Sequence, residues 1–563
     1  MLKKILSAAA ALTLALGATA QAFTFPTPDW GALLSEKKAM VTQTDFELYV
    51  ESTTGNAPYY GAKFEPKNGV YIGSVPENAQ GILPLGSYLT YVEDMWQDDL
   101  YYPANQMIRN DNVMPMIGWT IHNMDNVNYD QVRKVLDTLN GYGKPMFIRF
   151  ANEMNCSSLG DNPDRYIEIF RKVANMIHEY PNFAVVWSPN DMGALDRPFE
   201  YFYPGDEYVD WVGASCYMIR YFQGNKNTSY NDSVYFMTGD YSWATNRIKP
   251  LIEFMEKNNI KKPVMISEGG VATATAHGDD MQSWADPRLR NMYWNLIMKF
   301  PQIKMINYFN VHRDNENETF DISNFPYAVD IFNNARNSGA YITEYNGKPE
   351  FVFKKANEGG TLVAKDGKIK LYTMAHFPNQ TGFSVNYSLD GKWHHSSDKI
   401  PYTCNLNVAN LSDGKHTITI SSFDKENTYT FYKNGTNIRF GAEPEAPKSE
   451  IKVTVDGREV AFDQPPIIEN DRTLVPFRAI FEALGATVGW DGDTKTVSAS
   501  KGDTKISLKI GDNKMNVNAQ IKTLDVPAQV KNDRTLVPVR AISEALKCNV
   551  QWNGDTKTVI ITQ

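Results

Sequence analysis

From about Gly69 to Tyr341 the chain alternates short apolar runs with amphipathic stretches of helical period, and no other feature restricts its fold as tightly. The runs are Val70-Tyr71-Ile72-Gly73, Met114 to Trp119, Pro145 to Phe150, Ala184-Val185-Val186-Trp187, Trp211-Val212-Gly213-Ala214, Val264-Met265-Ile266-Ser267 and Lys304 to Phe309. A weaker eighth lies at Ser87 to Tyr91. Runs of this kind, alternating with helices, are the signature of a parallel sheet. Val132, Val135, Leu136 and Leu139 recur at helical spacing, as do Ile167, Phe170, Val173, Ala174 and Ile177, and then Ile248, Leu251, Ile252 and Met255. Asn162-Pro163 opens the second helix with a cap residue and a proline at the first helical position. Eight strands in about 270 residues fit a (β/α)8 TIM barrel, usually about 250 residues long. A doubly wound open sheet would carry a Gly-rich phosphate turn after its first strand, and none follows Gly73.

The rest of the chain divides by pattern. Residues 1–22 read as a signal peptide: Lys3 and Lys4, an apolar stretch from Ile5 to Ala20, and the small-x-small run Ala20-Gln21-Ala22. The barrel domain is placed at 23–341. Within it, Asp45 to Glu51 alternates like a strand and either opens the barrel domain or packs under it. Over 342–440 the helical period gives way to short alternating runs, such as Lys368 to Tyr372 and His416 to Ile420, separated by Asp-Gly turns at 366, 390 and 413. This predicts an immunoglobulin-like β-sandwich. A linker follows at 441–449, rich in Pro, Ala and Glu. Over 450–563 the run Asn470-Asp471-Arg472-Thr473-Leu474-Val475-Pro476 returns as Asn532-Asp533-Arg534-Thr535-Leu536-Val537-Pro538, an offset of 533 − 471 = 62 residues. Each copy ends in Trp-x-Gly-Asp-Thr-Lys-Thr-Val, so a duplicated α+β module is predicted. The expected fold class is therefore α/β, a barrel followed by a sandwich and this module.

Charge and cysteine content narrow the function. A formal net charge of -9 argues against a nucleic-acid partner, since phosphate binding needs a basic face. No later stretch is apolar and long enough to span a membrane, so the expected location is secreted, with association to the cell wall through the C-terminal module. Cys156, Cys216, Cys404 and Cys548 are too dispersed for a disulfide framework and are expected mostly as free thiols, with a Cys156–Cys216 bridge left open. His394-His395 has no other nearby ligands, and no metal or cofactor is expected.

Two strand ends carry the chemistry. Arg149-Phe150-Ala151-Asn152-Glu153-Met154-Asn155 and Met265-Ile266-Ser267-Glu268-Gly269-Gly270 each close an apolar run with a glutamate. Barrels of this kind keep their catalytic groups at the C-terminal ends of the strands. Two carboxylates aimed at one mouth suit glycoside hydrolysis: one protonates the leaving oxygen, and the other attacks the anomeric carbon or activates water.

The same stretches are similar to glycoside hydrolase family 26, the β-mannanase family of clan A, over about residues 65–340. Arg149 to Asn155 resembles its fourth-strand motif, Val186-Trp187-Ser188-Pro189-Asn190 its fifth, Tyr203 to Gly213 its sixth, Ile266-Ser267-Glu268 its seventh and Phe300 to Asn310 its eighth. The resemblance implies Glu153 as acid/base, Glu268 as nucleophile and Tyr217 as a hydrogen-bond donor to the nucleophile. It sets Trp119 and Trp187 at the barrel mouth, although core packing serves both equally well. Arg149 either contacts the nucleophile or supports the barrel through an ion pair. His122 either lines the mouth or is a surface residue. The family usually has His where this chain has Asn152; the wider clan has Asn there, bonded to the sugar 2-hydroxyl.

The implied activity is a retaining endo-β-mannanase on a plant-type β-linked polysaccharide. A β-1,3-1,4-glucanase or xylanase of the same clan, or a non-catalytic carbohydrate-binding or adhesion protein, is the alternative. Residues 450–563 resemble the copper amine oxidase N-terminal domain. They contain no His and no Tyr, so copper or quinone chemistry is not expected there. Their Arg472, Arg478, Arg534 and Arg540 either fix the fold by ion pairs or bind an anionic wall polymer.

Overall fold

The computed structural model describes residues 25, 44–53, 58–75, 85–93, 109, 112–191, 197–220, 240–275, 278–311, 318–358, 361–378, 380–441, 451–531 and 534–563. The expected signal peptide and nearly all of the linker lie outside them. Two compact units divide the chain, at Met1–Glu443 and Pro444–Gln563.

The first unit contains a closed parallel barrel. Its strands are β1 (Val70–Ser74), β2 (Ser87–Glu93), β3 (Met114–Thr120), β4 (Met146–Phe150), β5 (Phe183–Trp187), β6 (Trp211–Met218), β7 (Val264–Val271) and β8 (Ile303–Tyr308). All eight expected strands are present. Each pairs with its neighbour in parallel, and β8 returns to β1 through Met305↔Tyr71 and Ile306↔Ile72, which closes the ring. Side-chain parity sorts the strands into two layers. Met116, Phe147, Val186, Trp211, Met265 and Met305 fill the barrel. Ile117, Ile148, Val185, Val212, Ile266 and Ile306 join a second layer with Val132, Phe170 and Ile248 of the helices. Phe64 meets Phe147 edge-on inside the barrel at 5.8 Å, and the Trp211 indole donates to the Lys63 carbonyl at 2.7 Å.

The flanking helices form where the apolar period placed them: α1 (Tyr129–Asn140), α2 (Pro163–His178) and α3 (Ala244–Lys257). Asn128 caps α1 by accepting from the amides of Asp130 and Gln131, and Asn162 caps α2 by accepting from Arg165. Such caps satisfy amides that have no partner within the helix. Among the described residues, no helix is long and apolar enough to cross a membrane.

The early strand Asp45–Ser52 is not part of the barrel sheet. It runs antiparallel between Val352–Lys355 and Lys368–His376, in a four-stranded sheet completed by Tyr402–Asn407. A six-stranded antiparallel sheet, built from residues between 361 and 440, lies alongside; Asn427 and Tyr429 from it hydrogen-bond the backbone of Phe46 and Leu48. Barrel and sandwich share one core. Trp294 packs on Phe353 and Tyr372, and Lys299 pairs with Asp45. All four cysteines are free.

In the second unit the two copies meet through their shared motif. Arg472–Pro476 and Arg534–Pro538 pair antiparallel at Leu474↔Pro538, Val475↔Val537 and Pro476↔Leu536, and each strand runs straight into a seven-residue helix. Arg472 reaches Asp525 and Arg534 reaches Asp463, both at 2.6 Å. Since 525 − 463 = 62, each arginine pairs with the equivalent aspartate of the other copy.

Candidate active site

Parity decides which residues reach the barrel mouth. On β4, Phe147 and Arg149 point inward, while Ile148 and Phe150 point to the helices. On β5, Val185 and Trp187 share the outward face. Trp187 packs there against Phe199, Tyr203 and Phe254. Trp119, on the outward face of β3, meets Phe150 edge-on at 5.5 Å. Both tryptophans are fully buried in the layer beneath the helices. The expectation of two barrel-mouth aromatics is corrected: core packing holds both.

Beyond β4 the backbone turns sharply. Ala151 (φ 46°) and Glu153 (φ 58°) take up left-handed conformations, which cost non-glycine residues of order 1–3 kcal/mol each. The turn is fixed on both sides. Ala151 N–H donates to the Trp119 carbonyl and Glu153 N–H to the Ser188 carbonyl, each at 2.9 Å. The strain aims the Glu153 side chain into a cleft of about 530 Å³, lined also by Glu268, Asn152, His122 and Tyr91, with Ser157 to Leu159 on one wall.

Glu268, inside β7, faces the same cleft. Arg149 is fully buried beneath it and donates from Nη1 to Glu268 Oε2 at 2.5 Å. Arg149 Nε donates to Ser188 Oγ (2.9 Å) and Nη2 to Ser215 Oγ. Tyr217 donates its hydroxyl to Glu268 Oε1. Both open choices for Arg149 are thus realised by one contact, an internal ion pair made with Glu268. Burial works against the guanidinium charge, but Glu268 and Glu153 outweigh it and hold its pKa up. Burial, the Glu268 charge and other nearby groups push the Tyr91 and Tyr217 phenols well above their ordinary value, so both remain donors.

Glu153 has a different setting. Burial first, and then the negative charge of Glu268, raise its pKa above the usual carboxylate value. Arg149, Ser215 and Asn190 pull the other way. One carboxyl is therefore ion-paired while the other favours its proton, the division of labour that acid-assisted chemistry needs. Asn152 borders the cleft, and its Oδ1 is buried without a hydrogen-bond partner among the described residues. His122 is exposed on the cleft wall.

Sequence reasoning named Asn155, Ser188 and Asn190 only as motif letters and Tyr91 only as a strand residue, and missed Ser215. Ser188 and Ser215 share the inward parity of Val186 and Trp211, which was the available signal.

Residues 111–286 match glycosyl hydrolase family 26, and residues 454–561 match the copper amine oxidase N-terminal domain. A β-1,3-xylanase of Vibrio sp. is 23% identical over 218 residues, covering 35% of this chain and 41% of that protein. A protease inhibitor of Brevibacillus choshinensis is 32% identical over 116 residues, covering 20% of this chain and 35% of that protein. The chain spans less than half the length of these curated relatives. Among solved structures, a GH26 β-mannanase from Bacteroides ovatus is similar at 13% identity, 57% of this chain, 96% of that chain and a TM-score of 0.35. The parallel barrel of this chain thus resembles glycosyl hydrolase family 26, and its C-terminal unit the copper amine oxidase N-terminal domain.

Proposed function

We propose that the chain is an exported retaining glycoside hydrolase acting on a β-linked polysaccharide. The observation that carries this reading is the pairing of Glu153 and Glu268 on one cleft, with Arg149 and Tyr217 on Glu268 and a raised pKa on Glu153. In the first step the Glu268 carboxylate attacks the anomeric carbon while Glu153 gives its proton to the departing glycosidic oxygen. In the second, Glu153 takes a proton from water as that water displaces Glu268. Tyr217 and Arg149 hold the Glu268 carboxylate in place and aim it. The Asn152 amide borders the cleft where a sugar hydroxyl can complete its hydrogen bonding. No step needs a metal or cofactor.

The first substrate to try is β-1,3-xylan, on the strength of the Vibrio relative's name. Mannan, implied by the motif resemblance, is the second. The C-terminal unit is read as a cell-wall attachment module, outside the chemistry.

The experiment is reducing-sugar release from β-1,3-xylan, mannan, glucomannan, lichenan and β-1,4-xylan. Wild type is compared with Glu153→Gln and Glu268→Gln. Glu153→Gln should lose about 10²–10⁴-fold in rate on the preferred substrate. The first-formed product should keep the β anomer by proton NMR. No release from any substrate would sink the hydrolase reading, and an inverted anomer would sink the retaining step.

A further inference from the structure

The C-terminal end of β6 carries two hydroxyls that meet charged groups at the mouth: Ser215 Oγ accepts from Arg149, and Tyr217 donates to Glu268. The backbone beneath these two residues is not held by a regular ladder. Alternate residues of a strand turn their peptide groups to the same neighbour. On one side the Met218 carbonyl accepts from Ala272 N–H just past β7, and the β6–β7 register shifts between Ala214 and Ser215. On the other side the pairing with β5 ends at Trp187↔Val212. Irregular chain then takes over. Ser215 N–H donates to the Pro189 carbonyl at 3.0 Å, and Asp191 N–H donates to the Ser215 carbonyl at 3.1 Å. The next carbonyl in this row belongs to Tyr217, and among the described residues no strand reaches it. Arg247, from α3, does so instead, donating from Nη2. Its Nη1 lies 3.3 Å from Asp191 Oδ2, both side chains are buried, and the Tyr241 ring centre is 5.2 Å from the guanidinium. Asp191 and Arg247 therefore act as one bracket in place of a missing strand. The amide of the first holds Ser215 and the guanidinium of the second holds Tyr217.

We propose that Arg247 and Asp191 are positioning residues for Tyr217, setting where its hydroxyl meets Glu268. This rests on the reading of Glu268 as the nucleophile. A buried ion pair by itself argues little for stability, since apolar residues of similar volume often serve as well. What this pair supplies is geometry: a planar guanidinium can touch an acid and a carbonyl at once in a fixed arrangement. The Tyr217 ring lies against Phe309 and Phe320, with centroids at 5.8 and 4.8 Å, so a shift in its backbone carries the hydroxyl with it. Glu268 is thus supported by two buried cations. Arg149 acts on it directly from β4, and Arg247 acts from the helix layer through the Tyr217 backbone. A misaimed carboxylate still allows sugar to bind but attacks less often, so the bracket should matter for kcat more than for KM.

The test reads the Tyr217 hydroxyl directly. Full-length chain carrying ¹³Cζ-labelled tyrosine is observed by NMR, with the Tyr217 and Tyr91 signals assigned by their loss in Tyr217→Phe and Tyr91→Phe. Glu268→Gln removes the charged acceptor and so gives the direction in which the Tyr217 signal moves when that hydrogen bond weakens. Arg247→Lys keeps a cation beside Asp191 but lacks the fork that serves two acceptors. It should move the Tyr217 signal in the same direction and leave the Tyr91 signal in place. On β-1,3-xylan its kcat should fall by about 10–100-fold, with KM within about twofold of wild type. In a Tyr217→Phe background the same change should cost less than about twofold, because the hydroxyl it acts through is gone. Should Arg247→Lys fail to fold, Asp191→Asn/Arg247→Met leaves no unpaired charge and is read the same way. An unmoved Tyr217 signal, or an equal loss of kcat with and without the Tyr217 hydroxyl, would reduce the bracket to a structural brace and overturn the assignment. The NMR reading needs no turnover. A chain that releases no sugar from any polysaccharide therefore condemns the hydrolase reading, while the Tyr217 signal still decides this one.

Discussion

Arg149 in the barrel and Arg472 on the C-terminal unit each hold a carboxylate at short range, 2.5 Å to Glu268 and 2.6 Å to Asp525. Their surroundings differ. The Arg149 side chain is wholly buried, and its donors serve Glu268, Ser188 and Ser215. The Arg472 side chain is 41% exposed and its partner 67%. Water screens the second pair, and such pairs contribute about 0–1 kcal/mol. The first has no water to fall back on, and breaking a buried pair costs about 3–5 kcal/mol. Similar distances thus carry different stakes. The C-terminal pairs hold two repeats in register, while the barrel pair fixes a reactive group.

The largest expected effect breaks the barrel pair. Arg149→Met leaves Glu268 buried without its cation and should lower stability by about 3–5 kcal/mol in urea unfolding, together with nearly all sugar release. If Arg149→Met proved as mild as a surface change, the contrast would collapse. A buried cation without a hydrogen-bond partner among the described residues gives the next case. Lys304, 1% exposed, has no hydrogen bond to its Nζ, and burial holds its pKa down to about 8 from 10.5 despite the Glu65 charge. A depressed value means stability that is present above pH 10.5 and lost as pH falls to about 8. Lys304→Met should therefore stabilise the first unit at pH 7 by about 3 kcal/mol, a gain that shrinks as pH rises from about 8 and is gone above 10.5.

Glu153→Gln should show a smaller effect of definite sign. The raised Glu153 pKa means the fold is favoured while that carboxyl is protonated and loses the advantage as pH rises through the raised value. The neutral glutamine escapes this, so the variant should melt above wild type at pH 8 and level with it at pH 3. The smallest effect belongs to the exposed pairs. Arg472→Ala and Arg534→Ala should each cost about 1 kcal/mol or less in the C-terminal unit's unfolding and leave sugar release unchanged. A loss of 3 kcal/mol there, by the same range that separates buried from exposed pairs, would erase the distinction.

The eight strands, the helical faces and the duplicated module were readable because each is written in local period or repetition. The inward face of each strand was not. Strands apolar on both sides hide their parity, so Trp119 and Trp187 could be set at the mouth when they belong beneath the helices. Arg149 held the missing clue: a charge amid Met146 to Phe150 belongs on the side with partners, and its parity neighbour Phe147 goes inward with it. Parity gave a signal for Ser215, but its part in the site, like that of Asn190, was hard to read for another reason. Each hydrogen-bonds a residue tens of positions away, and small polar residues near strand ends are common.

The strand Asp45–Ser52 has a consequence in time. It pairs with Val352–Lys355 and with Lys368–His376, the nearer beginning 352 − 52 = 300 residues later. At about 5–20 residues per second, the ribosome needs roughly 15–60 s to make that partner. Throughout this interval the early strand has two open edges, and such edges invite pairing with other chains. By the time either partner exists, β8 is complete. The sheet can therefore seal only on a chain that already holds every barrel strand, and a product released before residue 352 keeps an unsealed, adhesive edge.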